Sequence, residues 1–323
     1  MTLITTRRAA LAGVLAAPAM TRAQAPWPSG TIRIIAPFPP GGSVDTIARL
    51  VQPGLQQRLG APVVVENRTG ASGALGTGVV ARAAPDGNSW VLVFDSHAVN
   101  DVLQPSLGFD GLRDFTPAML IATSPMLLCT PNARPWRNLG AVIDAARSQP
   151  NGLTYGTVGA GSLAHLTMTL LAGEARANLI HVPYRGGGPM ATAAAAGEVD
   201  LVIASRAGLG GQVNQTIRPL AQSGARRSPA LPDVPTIAEQ GYPSVAAEAF
   251  WGLLGPAGVP APILARFHAA LVESLAEASV RDRLVAGQGV DIVASTPAEF
   301  AEFLTQQMTT WRRVVRENNI RND

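Results

Sequence analysis

The sequence predicts an α/β chain of two lobes, and three observations carry that prediction. Short apolar runs rich in Val, Ile and Leu alternate with segments of helical period, the order expected of βαβ units. The runs are apolar at nearly every position, as in parallel sheets covered by helices on both faces. Setting aside an N-terminal leader leaves about 298 of the 323 residues, enough for two α/β units of ordinary size.

The leader comprises residues 1–25. Arg7 and Arg8 precede an apolar run from Ala9 to Met20 and the small-residue segment Ala23-Gln24-Ala25, the three parts of a signal peptide. The run is too short for a membrane span, which takes ~20 apolar residues. Thr6-Arg7-Arg8-Ala9-Ala10-Leu11 also fits the twin-arginine export route. Without Arg7, Arg8 and Arg22 the remaining chain has 22 basic and 22 acidic residues. That balance gives no reason to expect a nucleic acid or an anionic membrane as partner. Every basic residue is Arg, which excludes Schiff-base chemistry and a P-loop lysine. The single cysteine, Cys129, sits in an apolar run and is expected to be a buried thiol.

Six runs read as strands of mainly parallel sheets: Ile32 to Ala36, Val63 to Val65, Trp90 to Phe94, Met126 to Cys129, Val199 to Ala204 and Phe250 to Leu254. Between Ser43 and Leu59 a helix buries Ile47, Leu50, Val51, Leu55 and Leu59. Ser43 is expected to cap it, and Pro53 to kink or break it near Gln52. Asn138 opens a helix carrying Leu139, Val142, Ile143 and Ala146 that ends at Pro150. Ser162 opens another from Leu163 to Leu171, and Ala191 to Ala196 is a short helix of strong formers. The last helix is the plainest: Thr296 caps it, Pro297 takes the first position and Glu299 closes a capping box. Phe300, Phe303, Leu304, Met308, Trp311 and Val315 form its buried stripe. No internal repeat is visible.

Four dispersed histidines lack metal-ligand spacing, so no metal site is expected. Gly159-Ala160-Gly161-Ser162-Leu163 lacks the glycine spacing of a nucleophile elbow. Gly70-Ala71-Ser72-Gly73-Ala74-Leu75-Gly76 follows a strand, but its Gly-x-x-Gly-x-x-Gly spacing departs from the dinucleotide fingerprint. One device recurs. Pro37-Phe38-Pro39-Pro40-Gly41-Gly42-Ser43-Val44-Asp45 joins a strand to a helix through a stiff, glycine-opened turn, so that free helix N–H groups face the turn as an anion cradle. An ordinary βα turn is the plainer alternative for any one such loop. Tyr155-Gly156-Thr157-Val158-Gly159-Ala160-Gly161-Ser162 repeats the device, and Pro183-Tyr184-Arg185-Gly186-Gly187-Gly188-Pro189 adds a third glycine loop. Loops of this kind in both halves fit a ligand held between two lobes.

The first of these loops, with Val63-Val64-Val65-Glu66-Asn67-Arg68-Thr69-Gly70-Ala71, Ala81-Arg82-Ala83-Ala84-Pro85-Asp86-Gly87, His181-Val182-Pro183-Tyr184-Arg185-Gly186 and Arg227-Ser228-Pro229-Ala230-Leu231-Pro232-Asp233-Val234-Pro235-Thr236, resembles the Bug family over essentially the whole chain after the leader. These are periplasmic solute-binding proteins of tripartite tricarboxylate transporters. The resemblance implies a type II periplasmic-binding-protein fold, with lobe 1 from residues 26–124 plus 222–323 and lobe 2 from residues 125–221. It also implies a monomer without cofactor that closes on a small carboxylate and docks on membrane permease subunits. Carried over residue by residue, it assigns Phe38, Gly41, Gly42, Ser43 and Asp45 in one lobe and Thr157, Gly159, Ala160, Gly161 and Ser162 in the other as ligand-binding. Ser96, His97 and Asn100 follow from the segment after Trp90 to Phe94, where Asp95 departs from the family's pattern.

Other roles compete at several of these positions. Asp45 in a first helical turn also favours the helix dipole, and His165 and His181 read as core or supporting histidines. Tyr184 and Arg185 suit a second carboxylate, although Arg185 equally suits an ion pair between lobes. Asp200 serves the start of its strand. Ala204 stands where relatives often have a carboxylate, leaving Ser205 or Arg206 to meet another anion. Two further function classes stay open: a ligand sensor serving a signalling protein, and a hydrolase.

Overall fold

The computed structural model describes residues 27–104, 106–184, 187–318 and 320. The leader and Arg185 lie outside them. The elements run β1 (Ile32–Ala36), α1 (Ser43–Leu59), β2 (Val63–Asn67), α2 (Ala74–Ala81), β3 (Ser89–Phe94), α3 (His97–Leu103) and β4 (Phe115–Pro131). There follow α4 (Leu139–Ser148), β5 (Leu153–Thr157), α5 (Leu163–Ala175), β6 (Leu179–Pro183), α6 (Gly187–Ala195), β7 (Leu201–Ser205), α7 (Arg206–Leu209) and β8 (Ile217–Gln222). The chain closes with β9 (Glu248–Pro256), α8 (Ala261–Ala276), α9 (Ala278–Asp282), β10 (Asp291–Ile292) and α10 (Pro297–Glu317). Among the described residues no helix is long and apolar enough to cross a membrane.

Strand order repeats. The first half of the sheet reads β2-β1-β3-β9-β4 and the second β6-β5-β7-β4-β8, with β10 added beside β4. In each half the first three strands are parallel and the next two pairings are antiparallel. The expectation of mainly parallel sheets therefore holds only for the βαβ part of each half. The repeat lies in the topology, while no internal repeat is visible along the sequence.

β4 belongs to both halves. Phe115 to Pro125 pairs with β9, and from Met126 onward it pairs with β7, and from Leu127 with β8. The sequence showed only Met126 to Cys129 because Pro117, Pro125 and Pro131 read as breaks; Pro117 sits at a register shift and Pro125 where β4 changes partners, places where a missing N–H is tolerated. Ser223, fully buried just after β8, ties the crossings together. Its Oγ accepts from Met126 N–H at 3.0 Å, its own N–H reaches Met126 O at 2.9 Å, and its carbonyl accepts from Ala247 N–H at 2.8 Å.

β1 and β3 bury both faces, as their unbroken apolar runs require. Ile34, Trp90 and Leu92 pack under α1 and α8, while Ile35, Val91 and Val93 pack on the other side with Phe300, Leu304, Met308 and Trp311 of α10. Trp90 stacks on Phe267 with ring centroids 3.9 Å apart. The capping box of α10 forms as its sequence specifies, with Glu299 N–H on Thr296 Oγ1 at 3.2 Å and Glu299 Oε2 accepting Thr296 N–H at 2.8 Å.

Pro53 does not break α1, which runs unbroken for 17 residues. The neighbouring glycine explains its setting. A Cβ on Gly54 would lie 2.6 Å from Ser274 Oγ and 2.8 Å from Ser274 Cβ, so α1 and α8 meet here at a distance only glycine allows. Gly54→Ala is expected to cost about 1–3 kcal/mol by overpacking, and adding Ser274→Gly to recover part of the loss. Thermal unfolding of the single and double variants measures that coupling.

Candidate functional site

The register of β4 decides where the loops go. The end of β3 is level with Trp251 of β9 and so with Ala122 of β4 (Phe94↔Trp251↔Ala122), and β3 runs in the same direction as this part of β4. Beyond Pro125, β7 runs against β4 and ends at Ser205, level with Met126. The parallel strands of the two halves therefore point at each other. Four residues of β4 separate the two levels, about 13 Å at ~3.3 Å per residue. Every loop that carries a predicted binding residue leaves the carboxyl end of a parallel strand and opens on this gap, where α/β sheets bind ligands.

After β1, Ser43 is not the cap. It is the first helical residue, Gly42 takes the cap position without a side-chain bond, and Ser43 Oγ accepts from Trp251 Nε1 at 3.2 Å. The N–H groups of Ser43, Val44 and Asp45 are consequently without hydrogen-bond partners among the described residues, while Thr46 N–H reaches Gly42 O. Phe38, half-buried, sets its ring edge-on to Phe94 at 5.9 Å. Asp45 is buried and its carboxylate is occupied within the loop: Oδ2 accepts from Gly41 N–H at 3.0 Å, and Oδ1 from Arg49 Nε and Asn67 Nδ2, both at 2.9 Å. Burial works against its charge, but the bonds from Arg49, Gly41 and Asn67 hold the carboxyl below the usual carboxylate range. Gly41 has φ +82°, which the turn requires and glycine supplies.

After β2 lies a loop that the sequence reading set aside. Gly70, Ala71, Ser72 and Gly73 have φ of +130°, +48°, +51° and +90°, four consecutive residues in the left-handed region. Two of them are not glycine, a strained arrangement that persists only where neighbours fix it. Ser72 O accepts from Ser96 Oγ at 2.9 Å and Asn100 Nδ2 at 3.1 Å, and Ala71 O from Gln104 Nε2 at 3.0 Å. Ser96 and Asn100 thus clamp this loop. The visible signal was the Gly-x-x-Gly-x-x-Gly spacing, rejected as a dinucleotide motif without a second meaning. Asn67 was missed as well; it bridges Asp45 and the Phe38 carbonyl.

After β3, Asp95 is 7% exposed and its carboxyl is pushed up to about 8 by burial, with the Ser96 backbone N–H pulling weakly the other way. His97 turns inward: Nε2 meets Gly111 O at 2.9 Å, and its ring lies among Phe109 and Phe115. Burial lowers its pKa, and it is a core residue instead of a lining one.

In the second half, Ser162 caps α5 by accepting His165 N–H at 3.3 Å and donates its hydroxyl to Gly159 O at 2.7 Å. Thr157, fully buried, also donates to Gly159 O, at 3.0 Å. Gly161 N–H is engaged by His165 Nδ1, which leaves Ala160, Leu163 and Ala164 as N–H groups without partners among the described residues. Ser162 and His165 therefore do not form a nucleophile and base pair. The Tyr184 ring lies over Gly156, where an added Cβ would come within 3.0 Å of it. Ser205 Oγ accepts Gly208 N–H at 3.3 Å and caps α7. Asp200 holds Thr154 through its N–H at 2.8 Å and pairs with Arg134 at 2.8 Å, which accounts for it structurally.

Comparison with known proteins accords with this geometry. The family model described as "Tripartite tricarboxylate transporter family receptor" matches residues 47–320. BugT of Bordetella pertussis is 33% identical over 294 residues, covering 90% of each chain. Among solved structures, an R. palustris protein described with adipate is 29% identical at a TM-score of 0.79, covering 91% of this chain and 99% of its own. MatC from Rhodopseudomonas palustris with bound malate is 30% identical at a TM-score of 0.77, covering 89% and 99%. The chain belongs to the tripartite tricarboxylate transporter receptor family and has the two-lobed α/β fold of its periplasmic binding proteins.

Proposed function

We propose that this protein is a non-catalytic periplasmic receptor that closes two lobes on a small carboxylate and presents the closed form to the permease subunits of a tripartite transporter. Lobe 1 is residues 26–124 plus 222–323 and lobe 2 is residues 125–221. The observation that carries this reading is the pair of facing helix N-termini, with the N–H groups of Ser43, Val44 and Asp45 on one side and those of Ala160, Leu163 and Ala164 on the other. Amide dipoles stabilise an anion without a formal countercharge, so the ligand is held when the lobes meet and released when they part. Asp95, kept neutral by burial, adds no repelling charge at pH 7. The adipate and malate in the two R. palustris relatives support a dicarboxylate. Ser43 and Ala160, with their neighbouring free amides, would contact it through backbone N–H groups where Gly42 leaves room for the approach, with Tyr184, Arg185, Ser96 and Ser205 around its far end; Asp45, Thr157, Ser162 and Asn100 hold the loops.

Malate and adipate are the first probes. At one hundred times its dissociation constant a ligand stabilises by ~2.7 kcal/mol, a rise of several degrees in Tm by thermal shift. If no di- or tricarboxylate raises the midpoint, the carboxylate reading is wrong. Gly42→Val tests the site without disturbing the fold. Its φ is −72°, and a Cβ there would meet nothing nearer than Pro39 O at 3.4 Å. The variant is expected to unfold at the wild-type temperature yet lose the ligand-induced shift.

Asp45→Ala is expected to cost about 1.5–3 kcal/mol at pH 7, the range for hydrogen bonds to a charged group. Because the folded-state pKa is lowered, that stabilisation is present above the unfolded carboxylate pKa near ~4 and is lost as pH falls through the folded value. Denaturation of variant and wild type across pH should therefore converge in acid.

A further inference from the structure

His165 of α5 and His181 of β6 have no direct part in holding an anion on free amides. They stack face to face beside the Thr157 to Ser162 loop, with ring centroids 3.9 Å apart and planes within 9°. Their bonds to the loop are directional. Gly161 donates its N–H to His165 Nδ1 at 3.1 Å. A peptide N–H only donates, so Nδ1 must be bare and His165 uncharged, with its proton on Nε2. Thr157 gives its hydroxyl proton to Gly159 O, leaving its oxygen to accept from Gly159 N–H at 3.2 Å and from His181 Nε2 at 2.7 Å. One imidazole therefore fixes Gly161, and the other fixes Gly159 through Thr157.

Among the described residues nothing nearby compensates a positive charge on this pair. From β5, Tyr155 faces His181 with ring centroids 5.2 Å apart, its pKa pushed up to about 12 by burial. Beyond β6, Tyr184 is likewise raised by burial, with Glu198 adding to the effect. No carboxylate or guanidinium among the described residues acts on either ring. Burial lowers His165, and burial followed by the His165 ring pushes His181 down to about 4.

We propose that His165 and His181 are positioning residues for the second anion loop, and that His165 holds the Gly161 end of the loop in its binding arrangement only while its own ring is uncharged, so that proton uptake by His165 loosens the loop and weakens ligand capture. This rests on the reading of the loop as a carboxylate site. With folded-state values below the ordinary histidine pKa of ~6.5, the brace is intact above that pH and fails as pH falls toward the lowered values.

The test follows ring-labelled histidines and the Gly161 amide by NMR from about pH 8 down to about pH 3.5, a range that reaches below the His181 value of about 4. In parallel, affinity for malate and adipate is measured by calorimetry on wild type, His165→Asn and His165→Phe. We expect a neutral Nε2–H tautomer for His165 and a Gly161 amide that moves with its midpoint. Asparagine offers an amide oxygen near the position of Nδ1 and cannot titrate; this variant should bind within about threefold of wild type and lose the pH-dependent step. Phenylalanine keeps the stacking surface but leaves Gly161 N–H without its acceptor, and should bind about tenfold more weakly. A Gly161 amide indifferent to His165, an Nδ1–H tautomer, or wild-type affinity in His165→Phe would overturn the proposal. If neither acid binds wild type, the carboxylate reading fails separately, and the coupling of Gly161 to His165 alone decides the brace.

Discussion

Seventeen residues of β4 pass through both halves of the sheet, and the proline at position 125 marks where the strand changes partners. A strand that crosses between lobes must be stiff within each and compliant between them. Pro125 removes a ladder donor at the crossing, where neither sheet uses it. Ser223 then ties the crossing to the chain leaving β8 and, through Ala247, to the chain entering β9. In the proposed reading this bonded cluster is where the lobes would turn against each other, the kind of hinge closure by which binding proteins surround a ligand.

The direction of β4 also sets the chemistry. Because β3 runs with it and β7 against it, the carboxyl ends of both parallel sets face one gap. Helix N-termini are fixed partial charges of about half a unit that fall off within a turn. Two of them facing each other favour an anion only in the closed arrangement. The two carboxyl groups nearest the loops are kept out of this balance: the charge of Asp45 is offset within its own loop by Arg49, and burial pushes the Asp95 carboxyl up to about 8. A surface of amides suits a carrier, since a buried ion pair would slow release.

Regular elements with their own local signals were legible in the sequence. The α10 capping box, the Asn138 and Ser162 caps and the twofold-covered β1 and β3 all follow from residues within one turn or one strand. What could not be read depends on distant partners. β5, β6 and β8 are five- and six-residue strands whose sequences carry threonine, glycine, proline or histidine, and only pairing makes them strands. The Ser43 cap failed because Trp251, more than 200 residues away, engages its hydroxyl. His97 looked like a lining residue by its place after β3, yet the apolar pocket of Phe109 and Phe115 draws it inward.

The Gly70 to Gly73 loop shows why such a site is hard to recognise by residue type. Left-handed backbone at Ala71 and Ser72 costs on the order of 1 kcal/mol or more each. Asn100, Ser96 and Gln104 offset that cost by bonding the two carbonyls that the strained turn presents. Asn67 and Asp45 do the same for the first loop, and Thr157 and Ser162 for the second. In each case the polar side chains that a motif search would count as ligands are engaged in shaping backbone. What these loops leave without a hydrogen-bond partner among the described residues is peptide N–H, common to every sequence. Selectivity among carboxylates must then come from the few side chains around it, and glycine, proline and serine mark the site because they permit its shape.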